Sequence, residues 1–391
     1  MRVLLDYRPA LTNRTGVGEW VHELARAVGT LAGQGHSPAS QLELTLFSSS
    51  FRDRLPASAL AELPGAQAAD CRVPVTLLNR AWYRHNWPPV EWLAGGRYDI
   101  VHSTAPLLLP ARAPFRVLTI YDLDFLHHPD RAWAEMRTVF PSRVRTDAPA
   151  ADLVVTISDW SARQIVNELG VEPERIAVCK PGVPGWIPAA PPERPDPGPA
   201  GYILFLGTLE PRKNVGGLLD AYERLMARWP GAPRLVLGGG HSGASGEWLA
   251  RAARAPLAGR VDVRGFIPSA DRVPTYAGAA VVVLPSWDEG FGLPALEAMA
   301  LGVPVVVSNR GALPEVVGAA GLQADPADPD AIADALQRVL TQPSLWQTLR
   351  AAGLERARQF NWASAARTLV DRYQLLLQGT SRSGTPAGRA S

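Results

Sequence analysis

Seven prolines fall within the sixteen residues from Pro184 to Pro199. Each proline removes a backbone N–H and fixes φ, so neither a helix nor a central strand survives that density. The chain of 391 residues is therefore divided once, near its middle, by a semi-rigid connector. Each side is long enough to bury its own core. The division predicts a first domain over 1–184, a linker over 185–200 and a second domain over 201–360.

Short apolar runs alternate with longer mixed segments on both sides, the rhythm of βαβ units and a parallel sheet. Val3–Leu5, Leu42–Phe47, Ile100–Val101, Arg116–Ile120 and Leu153–Ile157 read as strands in the first half. Glu19–Val28 and Ser158–Leu169 read as helices, the second with Ser158 as N-cap and Gly170 as its stop. The rhythm restarts with Tyr202–Leu206, Arg234–Leu237, Val261–Val263, Ala280–Leu284 and Val303–Val307. Three helical patterns follow Asp328. The last lies over 361–378 and is expected to cross back to the first domain, leaving a disordered tail over 379–391. The fold class is α/β, two Rossmann-like doubly wound domains whose strand ends face an inter-domain cleft.

Composition narrows the function classes. Lys plus Arg is 39 and Asp plus Glu is 37, a net charge of +2 that makes no electrostatic case for nucleic acid. Cys71 and Cys179 are the only cysteines, too few for a disulfide framework or a metal cluster, which suits a reducing cytosol. No run is apolar for long enough to span a bilayer, and the N-terminus turns polar too early for a signal peptide. A peripheral contact with the inner face of a membrane needs only a surface patch and stays open. Of the 39 basic residues only Lys180 and Lys213 are lysine, so a lysine in a functional loop stands out against the arginine background.

Three motifs carry chemistry. Asn13–Trp20 turns from the first strand into a helix, and Gly16 and Gly18 let an anionic oxygen approach the backbone amides there. By itself an ordinary βα turn accounts for it, and the third glycine of a dinucleotide fingerprint is missing. Gly207–Asn214 follows a strand and sets Arg212 beside Lys213, adjacent cations able to neutralise a diphosphate without a metal ion. A solvated basic turn is the plainer alternative. Ser286–Pro304 places Glu289 in a glycine-rich turn and Glu297 in the helix that follows. A helix carboxylate can grip a ribose diol, and the free amides of the turn can face phosphate.

These strings, with Ala151–Ser158 and Gly265–Pro268, closely resemble the signature of the retaining, nucleotide-sugar-dependent glycosyltransferases of family 4, which have the GT-B fold. The resemblance covers nearly the whole chain and implies roles. Arg212, Lys213 and Glu289 become the catalytic candidates, the first two on the donor diphosphate and Glu289 on the transferred sugar. Glu297 would bind the nucleotide ribose. Phe291, Gly292 and Leu293, preceded by Gly290, would meet phosphate and sugar, and Phe266 and Ile267 would line the base pocket. Gly16, Gly18, Gly207, Thr208, Tyr121 and Asp122 complete the donor-binding set. Tyr121 departs from the family pattern, since many relatives carry histidine before this aspartate.

Other features have plainer readings. Trp82, Trp87 and Trp92 read as core packing, with an acceptor platform as the alternative. Arg137, Arg143 and Arg145 read as a solvated face, and His127 and His128 as loop histidines. The expected activity is metal-independent transfer of a sugar, anomeric configuration retained, from a nucleoside diphosphate to an acceptor hydroxyl. No cofactor is expected beyond the donor substrate. Likeness to bacterial polysaccharide mannosyltransferases points to GDP-mannose as donor and to a glycan, lipid-linked or small-molecule acceptor. A catalytically silent sugar-nucleotide binder or scaffold of the same fold is the alternative; an oxidoreductase lacks its fingerprint.

Overall fold

A computed structural model describes residues 1–12, 16–34, 42–128, 139–190, 192, 201–243 and 245–382. The chain forms two compact units, Met1–Gly182 with Asn361–Ser391, and Val183–Phe360. Residues 193–200 of the expected linker lie outside the described residues, as do Arg137 and Asn13.

The first unit is built on seven parallel strands in the order β3-β2-β1-β4-β5-β6-β7. They are β1 (Arg2–Asp6), β2 (Glu43–Ser49), β3 (Gln67–Cys71), β4 (Ile100–Ser103), β5 (Phe115–Thr119), β6 (Leu153–Thr156) and β7 (Ile176–Val178). Helices cover both faces, which is why central strands read as unbroken apolar runs instead of alternating ones. Leu4 pairs with Thr45 on one side and Val101 on the other, placing β1 and β4 at the point where strand order reverses. On one side of the sheet Leu4, Phe47, Trp82, Val90 and Val101 form a core. Leu118, Ile120, Val144, Val154 and Ile165 form another. Ser158 caps the helix Asp159–Leu169 by accepting from the Ser161 amide at 3.0 Å, and Gly170 ends it at φ 64°.

The second unit repeats the plan with six parallel strands in the order β10-β9-β8-β11-β12-β13. They are β8 (Tyr202–Leu206), β9 (Leu235–Gly238), β10 (Val261–Gly265), β11 (Ala279–Leu284), β12 (Val305–Ser308) and β13 (Leu322–Ala324). Every residue of β11 is buried. Its reversal point lies between β8 and β11, whose carboxyl ends open into the two charged loops.

The final helix, Trp362–Arg382, belongs to the first unit. It packs along the helix Val17–Gly33, and its Tyr373 hydroxyl lies 2.6 Å from Nδ1 of the buried His102 on β4. The helix continues through Gly379 to Arg382, beyond the point where composition placed a disordered tail; residues 383–391 lie outside the described residues.

The tryptophans divide. Trp82 is buried against Phe47, but Trp87 is 57% and Trp92 54% exposed, so the core reading fails for the latter two. From the same segment Val90 enters the core and Leu93 packs against it. Trp87 and Trp92 pack edge to face on each other at 6.0 Å instead. Arg143 bonds Asp147 at 3.1 Å, and Arg145 is exposed. Among the described residues no helix is long and apolar enough to cross a membrane.

Candidate functional site

In an open parallel sheet, ligands bind outside the carboxyl ends of the strands where the order reverses. In the second unit that edge holds the segments Gly207–Asn214 after β8 and Pro285–Gly292 after β11. Asn214 takes the left-handed conformation at φ 54° and caps the next helix, its side chain accepting from Gly217 at 3.3 Å. This turn aims Arg212 and Lys213 across to the second loop. The Trp287 amide donates to the Arg212 carbonyl at 2.8 Å, tying the two loops together.

Glu289 is the centre of the cluster. Its Oε1 accepts from Lys213 Nζ at 2.5 Å and from Ser286 Oγ at 2.8 Å, while Oε2 accepts from Arg212 Nη1 at 3.3 Å. Both Glu289 and Lys213 are buried. Burial alone would push the carboxyl up; the charges of Lys213 and Arg212, with hydrogen bonds from Lys213 and Ser286, outweigh it and hold the pKa at about 2. Glu289 is thus a fixed anion that keeps two cations extended and ordered. Arg212 also grips Glu210 through Nη2 at 3.0 Å. Gly311 is required here: it sits at φ 66°, and a Cβ would lie 2.7 Å from the Glu289 amide nitrogen.

The remaining donor candidates of this unit surround the cluster. Gly290, Phe291 and Gly292 are buried in the turn, Leu293 opens the helix Leu293–Ala300, and Phe291 packs on Phe360 at 5.6 Å. Gly207 donates its amide to Gly238 at 2.9 Å, and Thr208 is exposed beside it. After β10, Phe266 is 61% exposed whereas Ile267 is buried, so the two residues offered for a base pocket present different faces. Glu297 is buried on Leu293–Ala300 and accepts from the Tyr276 hydroxyl at 2.5 Å. Burial raises its pKa, against the Tyr276 hydrogen bond and the Arg272 charge. Tyr276 and Arg272 were not singled out by sequence, because a tyrosine and an arginine within an ordinary helix carry no signal until their partner is known.

In the first unit, Gly16 begins the helix Val17–Gly33 at φ 53°, with Gly18 buried in its first turn. Tyr121 donates to the Thr104 carbonyl at 3.0 Å and packs edge to face on Trp20 at 5.3 Å. Burial pushes its phenol well up, with the Asp6 charge adding to the effect. Asp122 accepts from the Asp124 amide at 3.2 Å. Sequence reasoning also passed over the pair at the end of β1. Asp6 holds Arg8 bidentately at 2.8 and 2.7 Å, and the guanidinium lies 4.7 Å from the Trp82 ring centre. The exposed His127 pairs with Glu168 at 2.7 Å. Among the described residues no group of three His, Cys, Asp or Glu side chains is arranged to hold a metal ion.

Two family descriptions cover most of the chain: Glycosyltransferase Family 4 matches residues 14–184 and Glycosyl transferases group 1 matches residues 200–342. O-antigen chain mannosyltransferase B of Escherichia coli is 31% identical over 391 residues, covering 96% of this chain and 100% of that protein. Among solved structures, sucrose-phosphate synthase from Thermosynechococcus elongatus superposes with a TM-score of 0.74 at 21% identity, covering 97% of this chain and all of that one. Anabaena HepE in complex with UDP-glucose gives a TM-score of 0.70 at 18% identity, covering 96% of this chain and 99% of that one. Both structures are GT-B glycosyltransferases and establish the fold. With both family descriptions matched and a relative aligned along its whole length, this chain belongs to the glycosyltransferases of family 4.

Proposed function

We propose that this protein is a metal-independent, retaining hexosyltransferase that moves mannose from GDP-mannose to an acceptor hydroxyl in polysaccharide synthesis. The observation that carries the reading is the cluster of buried Lys213 and Glu289 with the part-buried Arg212 at the reversal point of the second sheet. Departure of a nucleoside diphosphate builds negative charge on its phosphate oxygens. A planar guanidinium and a compact ammonium, already ordered by Glu289, meet that charge with little reorganisation. Glu289, ionised throughout the neutral range, is suited to accept hydrogen bonds from hydroxyls of the transferred sugar. Glu297 has one oxygen held by Tyr276 and suits the ribose diol.

The choice of mannose and of a polysaccharide acceptor rests on the likeness to the O-antigen mannosyltransferase of Escherichia coli. Such a protein would work in the cytoplasm, or peripherally on the inner face of the membrane. The family resemblance favours front-face transfer as the route to retention, with a donor phosphate oxygen taking the acceptor proton. The test is the anomeric configuration of the first product formed from GDP-mannose, read by NMR. An α-linked product from the α-configured donor is expected, and a β-linked product overturns retention.

A second reading has one observation in its favour. The Tyr121 hydroxyl already donates to the Thr104 carbonyl, where many relatives carry a histidine. A protein that binds sugar nucleotides without turning them over would release no nucleoside diphosphate from any donor.

A further inference from the structure

Glu297 is held by residues that lie outside the segments Gly207–Asn214 and Ser286–Pro304. Its Oε2 accepts from Tyr276 on the helix Ser269–Gly278, and Oε1 has no hydrogen-bond partner among the described residues. The same helix carries Arg272, one turn before Tyr276. Its guanidinium lies 5.4 Å from the Trp186 ring centre, and it exerts its charge on Glu297. Trp186 also stacks on Tyr276, ring centres 6.5 Å apart and planes 20° from parallel. Arg272, Tyr276 and Glu297 are all buried. Trp186 thus braces both side chains that act on the carboxylate, one through its hydroxyl and one through its charge.

We infer that Tyr276, braced by Trp186 and assisted by Arg272, is a positioning residue that presents Glu297 to the donor ribose with Oε1 as the free acceptor edge. The inference rests on the reading of Glu297 as the ribose ligand and adds the device that aims it. A carboxylate on a flexible side chain would otherwise lose rotamer freedom on binding. One oxygen fixed by a rigid phenol leaves a single acceptor oxygen in a single direction, and that selects for a ribose carrying a hydroxyl at that point. Loss of the phenol leaves a buried carboxylate that can swing, so discrimination falls while the phosphate contacts of Arg212 and Lys213 persist.

The experiment is calorimetric binding of GDP and of 2′,3′-dideoxy-GDP, with UDP and its dideoxy form as a second pair, to the full chain. The variants are Tyr276→Phe, Glu297→Gln and the two together. The unsubstituted protein is expected to bind the preferred diphosphate about 10-fold more tightly than its dideoxy form, the effect of one charge-assisted hydrogen bond. In Tyr276→Phe that ratio should fall to about 2-fold or less, with the double variant no weaker than Glu297→Gln alone. In turnover, Tyr276→Phe should raise KM several-fold more than it lowers kcat. A ratio unchanged in Tyr276→Phe, or equal losses for both ligands, overturns the positioning role and leaves the ribose reading standing. A ratio near one in the unsubstituted protein, or no binding of either diphosphate, overturns the ribose reading and the inference together. Should Tyr276→Phe not fold, Arg272→Met tests the assisting charge in the same assay, because it removes the guanidinium that lies 5.4 Å from the Trp186 ring centre; an unchanged ratio there overturns the assistance.

Discussion

The two units share a topology and differ in what stands at the same place in it. At the reversal point of the first sheet, Asp6 closes on Arg8 in a bidentate pair and Tyr121 closes on a backbone carbonyl. At the reversal point of the second, two cations from one loop converge on a carboxylate from another, 76 and 77 residues away in sequence. A pair two residues apart is locally self-sufficient and stabilises its own turn. A pair drawn from two loops depends on both, and a ligand can rearrange it. The fold supplies the ledge, and the side chains decide whether the ledge does chemistry.

That contrast breaks most sharply at Lys213. Lys213→Ala is expected to lower turnover by on the order of a hundred- to a thousandfold, the scale for removing one charge-stabilising group. Lys213→Arg should impair it less, since a broad planar guanidinium replaces a compact charge. Initial rates at saturating donor, with folding checked by circular dichroism, measure both. Near-normal turnover by a folded Lys213→Ala protein would remove Lys213 from the chemistry of the second ledge.

Acid separates the units next. Burial drives His102 of the first unit down to about 3, so its neutral form is favoured in the fold. Its contribution is complete above the unfolded value near 6.5 and is lost as pH falls from there toward 3. Glu289 of the second unit, held at about 2 against 4.5 when free, contributes fully above 4.5 and loses its share only between 4.5 and 2. At pH 5 the first unit should therefore have given up about 2 kcal/mol through His102 and the second nothing through Glu289. Hydrogen exchange by peptide, corrected for intrinsic rates, should show β4 and the final helix losing protection first. His102→Gln should remove the difference.

Glycine gives a finer comparison. Gly16→Ala meets open space and costs only backbone strain, about 1–2 kcal/mol. Gly311→Ala adds the collision with the Glu289 backbone and should cost roughly 1 kcal/mol more, with a larger fall in turnover. Urea unfolding of both variants tests the order. Tyr121→Phe orphans the Thr104 carbonyl and should cost about 1 kcal/mol. If Tyr121 also faces the donor sugar, transfer falls more than diphosphate binding does. Smallest of all is Lys180→Arg, whose half-exposed pair with Asp159 should change melting by no more than about 1 °C.

Sequence made the central strands legible because helices bury both their faces, leaving runs such as Ala279–Leu284 of β11 and the three valines of β12 that are apolar without a break. Strands β7 and β13 escaped because each is only 3 residues long, and β3 because Gln67–Cys71 has neither alternation nor β-branched residues. Helical spacing does not carry from Trp82 to Trp87 and Trp92, because one helix ends at His85 with Asn86 as its left-handed cap and the next begins only after Pro89. Within the site, motif spacing brought out Arg212, Lys213, Glu289 and Glu297. It could not show that Lys213 and Glu289 share a hydrogen bond, nor that Tyr276 holds Glu297, since both are contacts made by sheet topology.

The central claim is that Arg212 and Lys213, ordered by Glu289, supply the charge that carries transfer. Its most direct measurement is release of nucleoside diphosphate from a panel of sugar nucleotides, GDP-mannose first, in excess EDTA with a glycan acceptor. The account predicts steady release in EDTA that is unchanged by added Mg²⁺ and absent from the Arg212→Ala, Lys213→Ala double variant. Release abolished by EDTA and restored by Mg²⁺ or Mn²⁺, or a double variant as active as the unsubstituted protein, would contradict it.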